Sequence, residues 1–326
     1  QIDGQFTKTK KRKIRLILEV IKLENIDSLP CSTAITIGMF DGVHKGHQLM
    51  LQELKTHAQN NDCKSAVITF ANHPRNVLAE KLNKDKIQLL QTQEERFAKI
   101  AKSCVDYLIC IDFTLEFAAL SPKQFLDILI PKIHPKILLL GYDNSFGNPK
   151  NSDFKDITSK GYYKDIRIFQ DKMGLYENGI EISSTEIRNA IVKGNITLAN
   201  AMLGENYSIC SVVEKGFQVG RNLGFPTANI AITEQKLIPK NGVYATKIEI
   251  GKKIYKGVTN VGYCPTFQRD NKTIETFIFD FNEEIYAENI RICFVDFLRE
   301  EMLFANAEAL KSQIGKDVLD AKKILD

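Results

Sequence analysis

The alternation of strand and helix patterns stops near residue 204, and this change in periodicity constrains the fold more than any other feature of the chain. Before that point, short apolar or β-branched runs alternate with helical patterns. Because parallel strands need long crossover connections, usually helices, the alternation predicts a parallel sheet covered on both faces. The predicted strands are 33–38, 65–70, 107–111 and 136–140, and the predicted helices are 45–59 and 121–130.

After residue 204, short β-rich runs are divided by Gly, Pro and Asn, which is typical of an antiparallel barrel. These runs are 209–213, 244–250, 253–258, 276–281 and 290–294, followed by a helix over 306–313 and a second short helical stretch to 325. We therefore predict a Rossmann-like α/β domain over 14–204 and an antiparallel β-barrel domain with a C-terminal helix over 205–326. Residues 1–13 are interpreted as a solvated, disordered basic extension, against the alternative of a polybasic anchor.

Composition excludes several classes of protein. The chain has 44 Lys and Arg against 40 Asp and Glu, a net charge of +4, which is too weak to predict a nucleic-acid partner. It contains no apolar run of about 18 residues, so no membrane span is expected. The 7 cysteines form no C-x-x-C pair and are odd in number, which predicts neither disulfides nor a zinc knuckle but a reducing, cytoplasmic compartment. A homo-oligomer is compatible with the sequence.

A segment with two histidines joins the first predicted strand to its helix, at 38–47. Gly42 and Gly46 let the backbone approach a ligand, and the helix N-terminus offers free N–H donors to an anion. His44 and His47 can donate to phosphate oxygens and stabilise charge that develops on them. The alternatives are structural histidines or a metal site, although the spacing is i and i+3 and no third ligand is evident.

A second cluster of hydroxyl side chains lies far downstream, at Ser183, Ser184 and Thr185, and Arg188 follows on the same predicted helix. Hydroxyls at a helix start can hold a phosphate, and Arg188 adds a fixed charge. The alternative is an ordinary N-cap, with Ser184 or Thr185 capping the helix and Arg188 solvated. Together with the histidine segment, the cluster favours an anion site at the carboxyl end of a parallel strand.

A glycine-rich segment at 216–229 predicts a second phosphate site in the barrel. Gly216, Gly220 and Gly224 allow backbone N–H groups to face phosphates without interference from a Cβ atom. Thr227 and Asn229 place two hard oxygen ligands on one face of an extended segment, as Mg²⁺ prefers.

Glu275 is a charged residue in an otherwise apolar predicted strand. A carboxylate in such a place can act as the base that takes a hydroxyl proton. The alternative is a strand glutamate that points outward beside Asp280.

These motifs carry a family resemblance. H-x-G-H followed by I-S-S-T-x-I-R resembles the nucleotidyltransferase superfamily, and the fuller strings at 36–48, 69–74 and 141–147 are similar to the prokaryotic bifunctional riboflavin kinase/FAD synthetase family. The segment 216–229 resembles the riboflavin kinase signature. The resemblance covers about 14–326 and implies two ATP-dependent reactions. The barrel would phosphorylate riboflavin to FMN with Mg²⁺, and the α/β domain would adenylylate FMN to FAD and release pyrophosphate.

The resemblance also implies roles for individual residues. In the adenylyltransferase, ATP would contact Gly38, Phe40, Asp41, Gly42, His44, His47, Ser183, Ser184, Thr185 and Arg188. The flavin side of that site would include His73, Asp143 and Phe146. In the kinase, ATP would contact Gly216, Gly220, Arg221 and Gly224, the metal would be held by Thr227 and Asn229, and the flavin would border Arg299. The catalytic residues would be Glu275, His44 and His47.

The chain departs from the family pattern at Asn72, Asn144, Cys264 and Phe277, where the family usually has proline, an aromatic residue, arginine and histidine, respectively. These departures leave two other hypotheses open. One is a nucleotidyltransferase that acts on another phosphorylated metabolite, and the appended kinase signature argues against it. The other is a flavin- or nucleotide-binding regulator with one inactive site, and the retained motif residues argue against that.

Overall fold

The structure is a computed structural model that describes residues 20–141, 163–170, 174–216, 220, 223–233, 235–263 and 272–326. The predicted extension 1–13 lies outside these residues, as do Asp143, Asn144, Phe146, Arg221 and Cys264. Among the described helices, none combines the length and the apolar character that a membrane crossing requires.

The first part of the chain forms a six-stranded sheet with the order β1-β4-β3-β2-β5-β6, in which every pairing is parallel. Its strands are β1 Val20–Lys22, β2 Thr33–Ile37, β3 Lys64–Phe70, β4 Tyr107–Ile111, β5 Pro135–Leu140 and β6 Arg167–Gln170. Successive side chains of β2 enter different cores, since Ile35 packs in one apolar cluster and Ala34 in another. Both faces of the sheet are therefore covered, which confirms the predicted α/β class.

Helices and a small hairpin connect and follow these strands. They are a 3₁₀ turn Leu23–Asn25, α1 Lys45–Asn60, α2 Pro74–Lys81, α3 Gln93–Lys102, α4 Leu115–Ala119, α5 Pro122–Ile133, hairpin strands β7 Tyr176–Glu177 and β8 Ile180–Glu181, α6 Ser184–Val192 and α7 Ile196–Leu203. Local sequence sets several helix starts. Thr92 and Glu95 form a reciprocal capping box at the start of α3, and Ser121 and Gln124 do the same for α5.

The second part of the chain is a closed antiparallel barrel with the order β10-β13-β12-β11-β14-β9. Its strands are β9 Tyr207–Glu214, β10 Thr227–Ile230, β11 Gly242–Ile250, β12 Lys253–Tyr263, β13 Lys272–Ile278 and β14 Asn289–Arg299. This confirms the predicted barrel. Several details differ from the prediction. Strand β10 was expected only as an extended segment, β9 and β13 begin earlier than 209 and 276, and β12 and β14 extend beyond 258 and 294.

The C-terminal region forms one helix, α8, over Ala307–Leu325, and the predicted division into two helical stretches is wrong. The helix continues through Gly315, although glycine costs about 1 kcal/mol in a helix interior relative to alanine. Ala321 and Leu325 are buried against Val243 of the barrel. This apolar packing outweighs the unfavourable propensity of the single glycine.

Helix α7 packs directly on the barrel. The Asn200 side chain donates to the Phe294 carbonyl (2.9 Å) and accepts from the Tyr207 N–H (2.6 Å). Buried residues of α7, such as Met202, share one apolar core with Ile292 and other barrel residues. The helix ends at Gly204, whose φ of 77° suits glycine. The predicted boundary at 204/205 therefore falls in a short, well-packed connection and remains a prediction.

Candidate active sites

A cleft of about 420 Å³ opens at the carboxyl end of β2, where α6 faces the loop between β2 and α1. It brings together most of the residues that the sequence predicts for the adenylyltransferase. These lining residues are Gly38, Phe40, Asp41, His44, His47, His73, Ser183, Ser184, Thr185 and Arg188. Gly42 lies behind the cleft wall, where a Cβ atom would come within 2.7 Å of the Leu90 side chain.

The two histidines of this cleft stack on each other. His44 is the N-cap of α1, and its ring centroid lies 3.7 Å from that of His47 with 22° between the planes. Both Nδ1 atoms are buried and have no hydrogen-bond partner among the described residues. Burial and the cations Lys99 and Arg188 lower the pKa of His44 to about 4. Burial and the adjacent His44 ring hold the pKa of His47 well below its usual value, so both rings are neutral at pH 7.

The loop that carries the histidines has an uncommon backbone. Phe40 and Val43 have positive φ values of 55° and 40°, which non-glycine residues adopt at a cost. Lys99 stabilises the loop from behind, because its Nζ donates to the Gly42 carbonyl (3.1 Å) and pairs with Glu205 (2.6 Å). Sequence analysis missed Lys99, because its place behind the loop depends on the packing of α3.

Asp41 is buried and its carboxylate is used within the protein. It accepts from the Leu90 N–H (3.1 Å), the Gln91 N–H (3.3 Å) and Arg188 Nη2 (2.5 Å). The Ser184 hydroxyl donates to the Asp41 carbonyl (2.8 Å). Asp41 therefore ties α6 to the loop that carries the histidines, and it orients the Arg188 side chain along the cleft wall.

The start of α6 differs in detail from the predicted cap. Ser183, rather than Ser184 or Thr185, is the N-cap, and its hydroxyl accepts from the Glu186 N–H (3.2 Å). Arg188 is paired with Asp41 rather than solvated, with only 13% of its side chain exposed.

The far side of the cleft holds a group of basic side chains. His73 caps α2 by accepting from the Arg75 N–H (3.2 Å), and burial together with Arg188, Arg75 and Arg96 lowers the pKa of His73 to about 3. Arg75 also lines the cleft. Sequence analysis missed Arg75, although it directly follows the His73-Pro74 pair. Asn72, one of the departures from the family pattern, points away and exchanges two hydrogen bonds with the Phe113 backbone (2.9 Å each).

A second cavity of about 300 Å³ lies at one end of the barrel, beside α8. Its lining includes Gly220, Thr227, Glu275, Phe277 and Arg299 from the sequence predictions, joined by Phe225, Asn260, Glu301, Met302, Phe304 and Asp317. Gly216, Gly224 and Asn229 are not in its wall. Asn260 lies on β12 opposite Glu275, and pairing of the strands was needed to find it.

The pairing of β10 with β13 brings together three of the predicted kinase residues, Thr227, Asn229 and Glu275. Asn229 lies directly opposite Glu275 in the register, and the Thr227 hydroxyl donates to Glu275 Oε2 at 3.4 Å. Burial raises the pKa of Glu275, and the Thr227 hydroxyl partly offsets that rise. Gly216 makes this arrangement sterically feasible, since a Cβ atom there would lie 2.0 Å from Asn229 Nδ2. Because Glu275 is part of the cavity wall, its side chain is available to a ligand in that cavity.

Gly220 contacts the Phe225 backbone at the same end of the barrel. Its carbonyl accepts from the Phe225 N–H (2.8 Å), and a Cβ atom at Gly220 would come within 2.3 Å of the Phe225 carbonyl oxygen. Gly224 has a φ of 89°, which glycine adopts at little cost. Phe277, a second departure from the family pattern, packs edge-on against Phe225 with ring centroids 5.2 Å apart. In the described part of the glycine-rich segment, glycine is therefore required at 220 by a close backbone contact and favoured at 224 by a positive φ.

Arg299 fixes α8 to the rim of the barrel cavity. Its Nε and Nη2 donate to the two oxygens of Asp317 (2.8 and 2.7 Å), and Gln313 adds a third hydrogen bond to the same carboxylate (2.9 Å). Asp317 is 5% exposed. Sequence analysis named Arg299 but missed Asp317, because the pair forms only when α8 packs on the barrel.

A third cavity, also of about 300 Å³, lies on the other side of β10. Its wall includes Thr227, which it shares with the second cavity, together with Pro226, Ala228, Ile278, Phe281 and Tyr286. Thr227 therefore stands between two cavities of equal size.

Comparison with known proteins matches both parts of the chain. A family model described as riboflavin kinase matches residues 203–325, and one described as FAD synthetase matches residues 26–186. The bifunctional riboflavin kinase/FMN adenylyltransferase of Buchnera aphidicola is 34% identical, covering 92% of this chain and 96% of the relative. The protein of the same name from Listeria monocytogenes is 36% identical, covering 88% and 91%.

A solved structure has the same fold over both parts. The crystal structure of a protein from Streptococcus pneumoniae, described as a macrolide-efflux protein, superposes with a TM-score of 0.82 and is 28% identical. The match covers 93% of this chain and 99% of the other. The two cavities, the residues that line them and these similarities lead to one conclusion: the chain belongs to the bifunctional riboflavin kinase/FMN adenylyltransferase family.

Proposed function

We propose that the chain makes FAD from riboflavin at two separate sites, with the barrel over 205–326 as kinase and the α/β domain over 14–204 as adenylyltransferase. The enzyme phosphorylates riboflavin to FMN with ATP and then adenylylates FMN to FAD with a second ATP, releasing pyrophosphate. One observation carries the assignment of sites. Residues of each motif set line a distinct cavity, and most of the lining of each cavity lies in the part of the chain matched by the corresponding family model.

In the adenylyltransferase cleft, a phosphate oxygen of FMN attacks the α-phosphorus of ATP. A new P–O bond forms, the bond to the bridging oxygen of the β-phosphate breaks, and pyrophosphate leaves with the electron pair. The incoming phosphate is already ionised, so the step needs no base and no protein nucleophile. His44 and His47, neutral and stacked, offer N–H donors to the growing negative charge, and Arg188 adds a positive charge held in place by Asp41.

In the barrel, Glu275 takes the proton from the ribityl hydroxyl as the oxygen attacks the γ-phosphorus of ATP. The bond from the γ-phosphorus to ADP breaks, and the proton ends on the Glu275 carboxylate. Burial raises the pKa of this carboxylate, which makes it a better base at neutral pH than an ordinary glutamate. Positioning supplies much of the remaining acceleration in phosphoryl transfer.

The donor set beside Glu275 fits Mg²⁺. Thr227 and Asn229 lie on one face of β10, Glu275 pairs with Asn229 in the register, and the Thr227 hydroxyl donates to Glu275, so the group offers hard oxygen ligands. Gly216 leaves the space that the Asn229 side chain occupies. We propose that Thr227 and Asn229 hold Mg²⁺ there. A bound Mg²⁺ neutralises charge on the phosphates of ATP, while Thr227 also orients Glu275 through its hydroxyl.

The two barrel cavities suggest where each substrate lies. The cavity beside α8 has three phenylalanines, Phe225, Phe277 and Phe304, in its wall, which suits the flat isoalloxazine ring. Arg299 borders this flavin side. The cavity on the other side of Thr227 would take the nucleotide. Gly220 lines the cavity beside α8, so the phosphate contacts of Gly216, Gly220, Arg221 and Gly224 are assigned by sequence resemblance alone. In the other domain, His73 lies on the proposed flavin side, and Asp143 and Phe146 are assigned there by sequence resemblance alone.

Two further proposals concern the state of the protein. The cysteine pattern of the sequence, an odd number with no C-x-x-C pair, is the basis on which we propose a reducing, cytoplasmic location. Only small molecules are required as partners, and a homo-oligomer remains compatible with the fold. A nucleotidyltransferase that acts on another metabolite does not account for the match of the barrel to the riboflavin kinase family. The retained motif residues, among them His44, His47 and Glu275, argue against a regulator with one inactive site.

The first experiment is to incubate the purified protein with riboflavin and Mg·ATP and to separate the flavins by chromatography over time. FMN that appears first, followed by FAD, supports both activities and their order. Conversion of FMN but not of riboflavin would mean that the barrel has lost its kinase activity. No product from either flavin would refute the proposal and favour another acceptor for the adenylyl group.

A further inference from the structure

A lysine from the barrel part of the chain is buried against the α/β part. Lys236 lies between β10 and β11, and only 3% of its side chain is exposed. Its Nζ donates to the Leu90 carbonyl (2.9 Å) and to the Glu95 carboxylate (2.6 Å), both of which belong to the other part of the chain. Its ammonium group also lies 5.2 Å from the centre of the Tyr207 ring. Moving a charged group out of water costs free energy, and here the Lys236 ammonium group is buried and paired between the two parts of the chain. We therefore asked what this ion pair does.

Main-chain hydrogen bonds extend this contact. The Leu89 N–H donates to the Gln235 carbonyl (2.7 Å), and the Leu237 N–H donates back to the Leu89 carbonyl (2.9 Å). These bonds form an isolated parallel bridge between Leu89 and Lys236. The segment 88–91 is therefore attached to the barrel on one side by its backbone and by the Lys236 ammonium group.

The other side of the same segment holds groups of the adenylyltransferase cleft. The Leu90 and Gln91 N–H groups both donate to the Asp41 carboxylate (3.1 and 3.3 Å). The Gln88 carbonyl accepts from Arg188 Nε (2.9 Å), while Arg188 Nη2 donates to Asp41 (2.5 Å). The segment 88–91 therefore contacts both members of the Asp41–Arg188 ion pair. A shift of this segment would move the guanidinium group of Arg188.

We propose that Lys236 is a positioning residue for the adenylyltransferase reaction, acting through segment 88–91 on Asp41 and Arg188. Lys236 lines neither the adenylyltransferase cleft nor the barrel cavity that contains Glu275, so it does not act by touching substrate at those sites. The inference rests on the proposed function of Arg188 in adenylyl transfer. It means that a residue of the kinase part helps to assemble the site of the second reaction.

The test compares Lys236→Met with Lys256→Met in the full-length protein. Lys256 is also a barrel lysine in an ion pair, with Asp326, but both side chains of that pair are exposed. We expect Lys236→Met to lower kcat for FMN adenylylation by about 10- to 100-fold, because small misplacements of catalytic groups have effects of this size. In Lys236→Met, kcat for riboflavin phosphorylation should stay within about twofold of the wild-type value. In Lys256→Met, kcat for both reactions should stay within about twofold of wild type.

A double-mutant comparison separates positioning from general stabilisation. In an Arg188→Ala background, Lys236→Met should lower adenylylation by less than about threefold further, because the group that it positions is gone. Three results would overturn the inference. Lys236→Met could lower adenylylation by the same factor with and without Arg188, it could lower both activities equally, or it could leave adenylylation at the wild-type rate. If Lys236→Met is insoluble, Glu95→Gln undergoes the same tests with the same expected direction. A wild-type protein that makes FMN but no FAD would instead refute the proposed adenylyltransferase function.

Discussion

Replacing Glu275 by glutamine should abolish one reaction and spare the other. Glutamine has the same shape and can still accept from the Thr227 hydroxyl, which lies 3.4 Å from Glu275 Oε2, but it cannot take a proton. General-base catalysis contributes about 10²- to 10⁴-fold, so kcat for FMN formation should fall by that factor, or about 3–5 kcal/mol in activation free energy. Formation of FAD from supplied FMN should stay at the wild-type rate.

The fold of Glu275→Gln should be intact. Burial raises the pKa of Glu275, so the ionised carboxylate is disfavoured in the folded state, and its contribution to stability decreases as the pH rises through that pKa. The free energy of unfolding of Glu275→Gln at pH 7 should therefore be unchanged or higher. The wild-type kinase should lose activity on acidification at a higher pH than an ordinary glutamate would cause, because only the ionised form can accept the proton.

The assay follows flavins by chromatography, starting from riboflavin in one reaction and from FMN in another. Glu249→Gln, on barrel strand β11, is the matched control because its carboxylate is partly exposed and lies outside the Glu275 cavity. The reciprocal change His47→Ala should abolish FAD formation and leave FMN formation. FMN formation by Glu275→Gln within about tenfold of wild type would refute the assignment of the base. Loss of both activities in either soluble variant would refute two independent sites.

Three other changes test separate parts of the structure. Since the pKa of His44 is lowered to about 4, protonation of His44 alone should remove roughly 3 kcal/mol of unfolding free energy as pH falls from 6.5 to 4, and His44→Asn should reduce the total loss by about that amount in urea titrations. A Cβ atom at Gly216 would lie 2.0 Å from Asn229 Nδ2, so Gly216→Ala should lower the free energy of unfolding in urea by about 1–3 kcal/mol. It should slow FMN formation and leave the formation of FAD from FMN unchanged. Arg299→Ala removes the ion-pair partner of the buried Asp317 and should lower the free energy of unfolding by about 3 kcal/mol. An unchanged midpoint in urea unfolding would show that the ion pair contributes little.

The sequence alone predicted the two architectures and a set of key residues in each of the two sites. Strand and helix periodicities are local, so the α/β class and the barrel could be recognised from residues close together in the chain. The histidine segment, the hydroxyl cluster and Glu275 were also recognisable, because the residue types themselves suggest phosphate binding and proton transfer. Propensity was a poor guide at Gly315, where packing of the last helix on the barrel overrides the cost of one glycine.

Tertiary contacts determine what several of these residues do. Contact between Asp41 and ATP stays a prediction, and tertiary contacts add that its buried carboxylate accepts from two backbone N–H groups and Arg188, which come from distant parts of the chain. Asp317 and Lys236 gave no local signal, because a charged residue on a helix or loop is usually solvated. Their roles arise from long-range packing that removes them from water and pairs them with Arg299 and Glu95. Residue types thus identified the chemistry, while the orientation and charge state of each group depend on neighbours that only folding brings together.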